Sequence, residues 1–95
     1  MTLYLNVQVG RLGYKVSLLD GYKVENLGTL YAKDQKELVS ALAHVIAQNQ
    51  VDQVCTNYSQ YKQIEPEINK ILIANHSYTN HVKVVCLNEV STQDY

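Results

Sequence analysis

The chain contains no tryptophan and no phenylalanine, and only one proline, four glycines and two cysteines among its 95 residues. Each scarcity removes a class of protein. Cys55 and Cys86, far from any CxxC spacing, exclude a zinc ribbon or a disulfide framework. Each is expected to be a small buried residue on a strand. So little glycine and proline excludes collagenous and low-complexity sequence. No apolar run approaches the roughly 20 residues that span a bilayer, and the N-terminus shows no basic region followed by an apolar stretch and a cleavage site. A cytoplasmic protein without membrane contact is therefore expected. An excess of charge is also missing. With a net charge of −1 there is no global attraction for a phosphate backbone, so nucleic acid is a disfavoured partner unless a local patch supplies it.

What is present fits an ordinary globular chain, 46% hydrophobic and 18% charged. Its length suits one domain, residues 1–95, with residues 89–95 as a tail. The aromatic content is eight tyrosines. Tyrosine joins a large apolar face to a hydroxyl that stays wet, which suits protein interfaces and the stacking of single-stranded nucleic acid. Arg11, Lys15 and Lys23 are the nearest cations for a stacking platform. Without net positive charge, protein contact is the preferred reading.

The first third of the chain reads as strands. Leu3, Leu5, Val7 and Val9 alternate with Tyr4, Asn6 and Gln8, the period that covers one face. Residues 10–13 form a glycine-bounded connection, and residues 14–19 resume a β-rich run. Asp20-Gly21 predicts a tight type I′ hairpin turn. A third strand over 22–31 is weakened or bulged near 26–28. The period then changes. Asp34 and Glu37 form an Asp-x-x-Glu variant of the capping box, followed by an apolar stripe of Leu38, Ala41, Leu42, Val45 and Ile46 on a helix of about four turns. Residues 51–56 suit a buried strand. A second helix runs from about 65 to 75, because Pro66 fits the first turn, with a looser turn before it from Ser59; its apolar side holds Ile64, Ile68, Ile71 and Leu72. Residues 81–87 form the last strand.

Two successive strand-helix-strand units demand right-handed crossovers. The expected architecture is α/β: a five-stranded mixed sheet of order 3-2-1-4-5, β-β-β-α-β-α-β, with both helices on one face. The other face then has no helix, and such a face is either polar or paired with another molecule. Tyr4, Asn6 and Gln8 are expected there, with either Lys83, Val85 and Leu87 or their neighbours from the last strand. Tyr4, Gln8, Tyr14 and Tyr22 are the interface candidates, and self-association is the expected partnership.

Three local matches accompany this order of elements. Leu3-Tyr4-Leu5-Asn6 leads into a glycine-containing hairpin and Tyr14; Glu37-Leu38-Val39-Ser40-Ala41-Leu42 opens a helix; Cys55-Thr56-Asn57-Tyr58-Ser59-Gln60-Tyr61 closes a strand. Together they resemble the ribonuclease H-like superfamily. The resemblance implies an acid at Asn6, a glutamate ligand at Glu37 and a second aspartate at Asn57, which here follows a Thr-Asp-Ser-x-Tyr pattern with one extra residue. In that family carboxylates hold two divalent ions about 4 Å apart. Hard ions prefer anionic oxygen, and an asparagine amide offers a neutral carbonyl. The resemblance thus implies a degenerate site with no cofactor and no bound metal.

Glu37 has a capping role by position, with metal binding as the alternative. Asn6 and Asn57 are solvated strand-end residues, or else they line a polar pocket where open α/β sheets bind ligands. Actin-like ATPases and sugar kinases share the opening topology. Their phosphate-binding Asp-x-Gly hairpin corresponds here to Asn6-Val7-Gln8-Val9, without the glycine, so ATP hydrolysis is not expected.

Other motifs add little. His44, His76 and His81 lack the spacing of a zinc pair and read as surface residues. No serine sits in a nucleophile elbow. Gly10-Arg11-Leu12-Gly13 imitates a KH-domain loop but joins two strands. The sequence therefore points to a non-catalytic binding or assembly module. The alternatives are a nuclease with a rearranged site of Glu37, Glu89 and Asp52, or a nucleic-acid-binding module. Small-molecule binding at the strand ends would need an enclosed pocket there.

Overall fold

The computed structural model describes residues 2–75 and 81–86. These form strands β1 (Leu3–Val9), β2 (Tyr14–Asp20) and β3 (Lys23–Leu30), helix α1 (Gln35–Asn49), β4 (Gln53–Thr56), helix α2 (Tyr61–Ala74) and β5 (Lys83–Cys86). The sheet order is β3-β2-β1-β4-β5. The first three strands are antiparallel, β4 runs parallel to β1, and β5 runs parallel to β4. This is the expected mixed sheet.

Alternation puts Leu5, Val7, Val16, Leu18, Val54 and Val84 on one face, where they join Leu38, Leu42 and Ile46 of α1 and Ile64, Ile68 and Leu72 of α2 in one buried cluster. Both helices therefore cover the same face. Burial of each large aliphatic side chain is worth about 1.5–3 kcal/mol, which makes this layer the main source of stability.

Asp34 caps α1 as expected, its Oδ1 accepting from the Glu37 N–H at 2.8 Å. Only half of the capping box forms, because the Glu37 carboxylate lies 3.8 Å from Lys33 Nζ. At the far end Gln50 takes the left-handed conformation, φ 55°. The buried stripe is rotated from the expected one. Val39 and Ala43 are buried, whereas Ala41 and Val45 are only half-buried. The reason is α2, whose Ile71 and Leu72 lie beside the 39/43 side, while Val45 faces the thinner cover of Leu27 and Leu30.

Two local expectations are corrected. The second hairpin closes on Asp20 paired with Lys23, so its loop is Gly21-Tyr22, one residue later than expected. Only Gly21 of that pair has positive φ, 62°, which is the type II′ pattern. Helix α2 begins at Tyr61, so Pro66 lies in its second turn. Packing overrides the local penalty: Ile64 reaches the core only if the chain is already helical ahead of the proline. The expected irregularity in β3 is present. The register shifts between Val16 and Ser17, leaving Leu27 as the extra residue, and Asn26 Oδ1 accepts from the N–H of Gly28, whose φ is 99°. The last strand, expected over 81–87, spans Lys83–Cys86; Leu87 and the expected tail at 89–95 lie outside the described residues.

Candidate functional site

The three positions singled out by the family resemblance do not converge. Asn6 alternates with Leu5 and Val7, both buried beneath the helices, so its side chain projects from the opposite, helix-free face. Glu37 sits on α1, on the helix side, exposed and turned toward Lys33. The sheet therefore separates these two. Asn57 is committed elsewhere: its Oδ1 accepts from the Val9 N–H at 2.7 Å and ties the end of β1 to the end of β4. Next to it, Thr56 Oγ1 accepts from the Tyr58 N–H at 3.0 Å, and the Tyr58 hydroxyl lies 3.1 Å from Gln35 Oε1. These contacts organise the strand end without creating a cluster of anions.

Asp52 lies at the other end of β4. Its Oδ2 accepts from the Leu3 N–H at 2.8 Å, and its own N–H donates to the Leu3 carbonyl at 2.9 Å. The four residues of β4 separate it from Asn57, five steps or about 16 Å along the strand, and Glu37 lies at the Asn57 end, where Gln35 of the same helix meets Tyr58. Glu89 and His76 lie outside the described residues. His44 is exposed, and His81 Nε2 is 3.4 Å from Glu65 Oε2. Among the described residues no group of three His, Cys, Asp or Glu side chains is close enough to hold a metal ion.

The helix-free face is ordered in rows across the sheet. One row runs Val24, Leu19, Tyr4, Gln53 and Lys83; the next runs Asn26, Ser17, Asn6, Cys55 and Val85. Lys83 and Val85 are thus the members of β5 on this face. Asn6 Oδ1, near the centre, is buried without a hydrogen-bond donor among the described residues. An orphaned acceptor of this kind costs about 1–3 kcal/mol. Burial pushes the neighbouring Cys55 thiol above its ordinary value. Cys55 is half-buried on this face, whereas Cys86 is buried on the helix side, as expected for a core cysteine.

The interface candidates separate accordingly. Tyr4 and Gln8 belong to the helix-free face. Tyr22 stands fully exposed in the hairpin turn. Tyr14 lies on the other face, with Val16 and Leu18: it is half-buried against the core and meets Tyr58 edge-on at 6.1 Å between ring centres.

Sequence reasoning missed Glu65 and Asn69. Asn69 is buried on α2; its Oδ1 accepts from the Val82 N–H at 2.7 Å, and its Nδ2 donates to the Val82 carbonyl at 2.9 Å and to the Glu65 carbonyl at 2.8 Å. Glu65 Oε1 accepts from the Val84 N–H at 2.7 Å. Two helix side chains thereby take the outward N–H groups of Val82, just before β5, and of Val84 within it. A groove of about 500 Å³ runs between the helices, lined by Lys36, Val39, Gln63, Glu67 and Ile71. It includes none of Asn6, Glu37 or Asn57, so this groove and the family positions lie apart. Among the described residues no helix is long and apolar enough to cross a membrane.

These features define an α/β domain with a five-stranded mixed sheet and two helices on one face; among the described residues no element covers the other face. No protein-family model matches the chain, and no curated protein sequence does. Its fold is similar to a solved structure from Bacteroides thetaiotaomicron, described as a protein with actin-like ATPase fold and unknown function. The TM-score is 0.64 at 10% sequence identity, covering 93% of this chain and 33% of that one. The likeness is one of fold, and the chain spans about a third of that protein's length.

Proposed function

We propose that this chain is a non-catalytic binding or assembly module, ribonuclease H-like in its order of elements, that self-associates through protein contacts. The observation that carries the reading is the helix-free face, which no described element covers and where the row Tyr4, Leu19 and Val24 presents apolar surface to solvent, Val24 being 69% exposed. The separation of Asn6 from Glu37 by the sheet, and the commitment of Asn57 to Val9, argue in the same direction, because a two-ion hydrolase needs its carboxylates together. The actin-like neighbour adds a fold and no activity.

Sedimentation velocity across a concentration series tests the reading. A mass rising from one chain to two is expected; a strict monomer at the highest concentration rejects it. A second reading has an observation behind it. Among the described strand residues of the helix-free face, the ionised side chains are Lys15 and Lys83, with no carboxylate between them. That local sign suits an anionic polymer despite the net charge of −1. Fluorescence anisotropy with labelled single-stranded DNA at low salt checks it: salt-sensitive binding supports the nucleic-acid reading, and none rejects it.

A further inference from the structure

The two edges of the sheet are treated differently. On β5 the outward N–H groups of Val82 and Val84 are taken by Asn69 and Glu65. On β3, the opposite edge, no described element lies outside the strand. Seven of its eight residues are exposed, and Val24 is 69% exposed. Bare edges of this length invite pairing and are usually blunted.

The register shows what such an edge would pair with. Lys23 is the last residue of the turn that begins at Asp20, so it bonds back toward β2. Antiparallel alternation then turns the N–H and C=O of Val24 and Asn26 outward. Lys23 and Glu25 flank Val24 on the helix side of the strand, one cation and one anion two residues apart.

We propose that two copies of this chain join along β3, antiparallel and centred on Val24, so that one sheet continues across a two-fold axis. The proposal rests on the self-association read above and assigns it a surface. Val24 then exchanges both backbone bonds with Val24 of the second copy. Lys23 faces Glu25 of the second copy and Glu25 faces its Lys23, so the charges complement each other twice. The apolar row Tyr4, Leu19 and Val24 meets its own copy at the axis. The bulge at Leu27 ends the regular segment. Two-fold symmetry gives a second copy this reciprocal charge order necessarily, whereas an unrelated strand has it only by coincidence of sequence.

Light scattering and sedimentation equilibrium on the full chain test this with three variants. Val24→Pro removes an outward N–H and leaves the ladder to β2 intact, so loss of the dimer with an unchanged circular dichroism spectrum is expected. Glu25→Lys and Lys23→Glu each set like charges opposite one another twice; each alone is expected to raise the dimer dissociation constant about tenfold or more. Mixed in equal amounts they are expected to recover the dimer, since a strand of one sign then faces a strand of the other. If Val24→Pro fails to fold, the charge pair decides. A dimer that neither charge variant weakens overturns the edge pairing while leaving self-association standing. A monomeric wild type overturns both.

Discussion

At the scale of single residues, the best-connected polar side chain in the described structure is one that looks unremarkable in the sequence. Asn69 reads as a polar residue between Ile68 and Ile71, and its partner Val82 lies 13 residues away. Nothing local announces the contact, because it exists only once β5 has docked. Asn69→Ala strands the N–H and carbonyl of Val82, at about 1–3 kcal/mol for each buried unpaired group. A loss of about 3 kcal/mol is expected, visible as a lower urea midpoint at unchanged slope. Asn57 teaches the converse. Its motif resembles a ligand position, whereas its oxygen accepts from the Val9 N–H 48 residues away. Cys55 gives a pH test. Burial favours its neutral thiol, so its folded value exceeds the ordinary 9.0. Its stabilising contribution is complete below that value and is lost as pH rises through the folded one. Tyr58 shares the sign, through burial and then through Tyr14. The melting temperature is therefore expected to fall above pH 9, with a shallower fall in Cys55→Ala.

At the scale of elements, periodicity in the sequence is a good guide to helices and strands, and a poorer one to their ends. Alternation in β1 and the Asp34 cap of α1 are local facts, and both are found where the sequence places them. The start of α2 is not local. Pro66 argues for a start near 65, yet the helix runs from Tyr61 because Ile64, Ile68 and Leu72 share one buried stripe and Glu65 and Asn69 hold β5. The lost N–H and the ring's crowding of the Lys62 carbonyl remain as a cost of about 3 kcal/mol in a helix interior. Pro66→Ala is therefore expected to stabilise the protein by roughly 2 kcal/mol, raising its melting temperature by about 10 °C. The hairpin turn moved for a similar reason. Asp-Gly chemistry identifies a turn, but which two residues occupy its centre follows from the β2–β3 pairing.

At the scale of the whole molecule, chain order and handed crossovers were enough to place five strands and to put both helices on one side. They say little about a site, because a site depends on which face each side chain takes, and a shift of one residue reverses that. Asn6 and Glu37 look like partners along the sequence and end on opposite sides of the sheet; Glu37 and Asp52 end at opposite ends of it. Metal binding at these positions would need charges that the fold keeps apart. An ion held at a hundredth of its free concentration would stabilise the folded state by about 2.7 kcal/mol, which is a rise of 10 °C or more for a domain of this size. The expected outcome with 10 mM magnesium or manganese, as about a hundredfold excess over a dissociation constant near 0.1 mM, is instead a melting temperature unchanged within a degree or so. A large rise that Glu37→Gln abolishes would mean that carboxylates gather around that helix end after all, and the chain would have to be reconsidered as a metal-dependent enzyme.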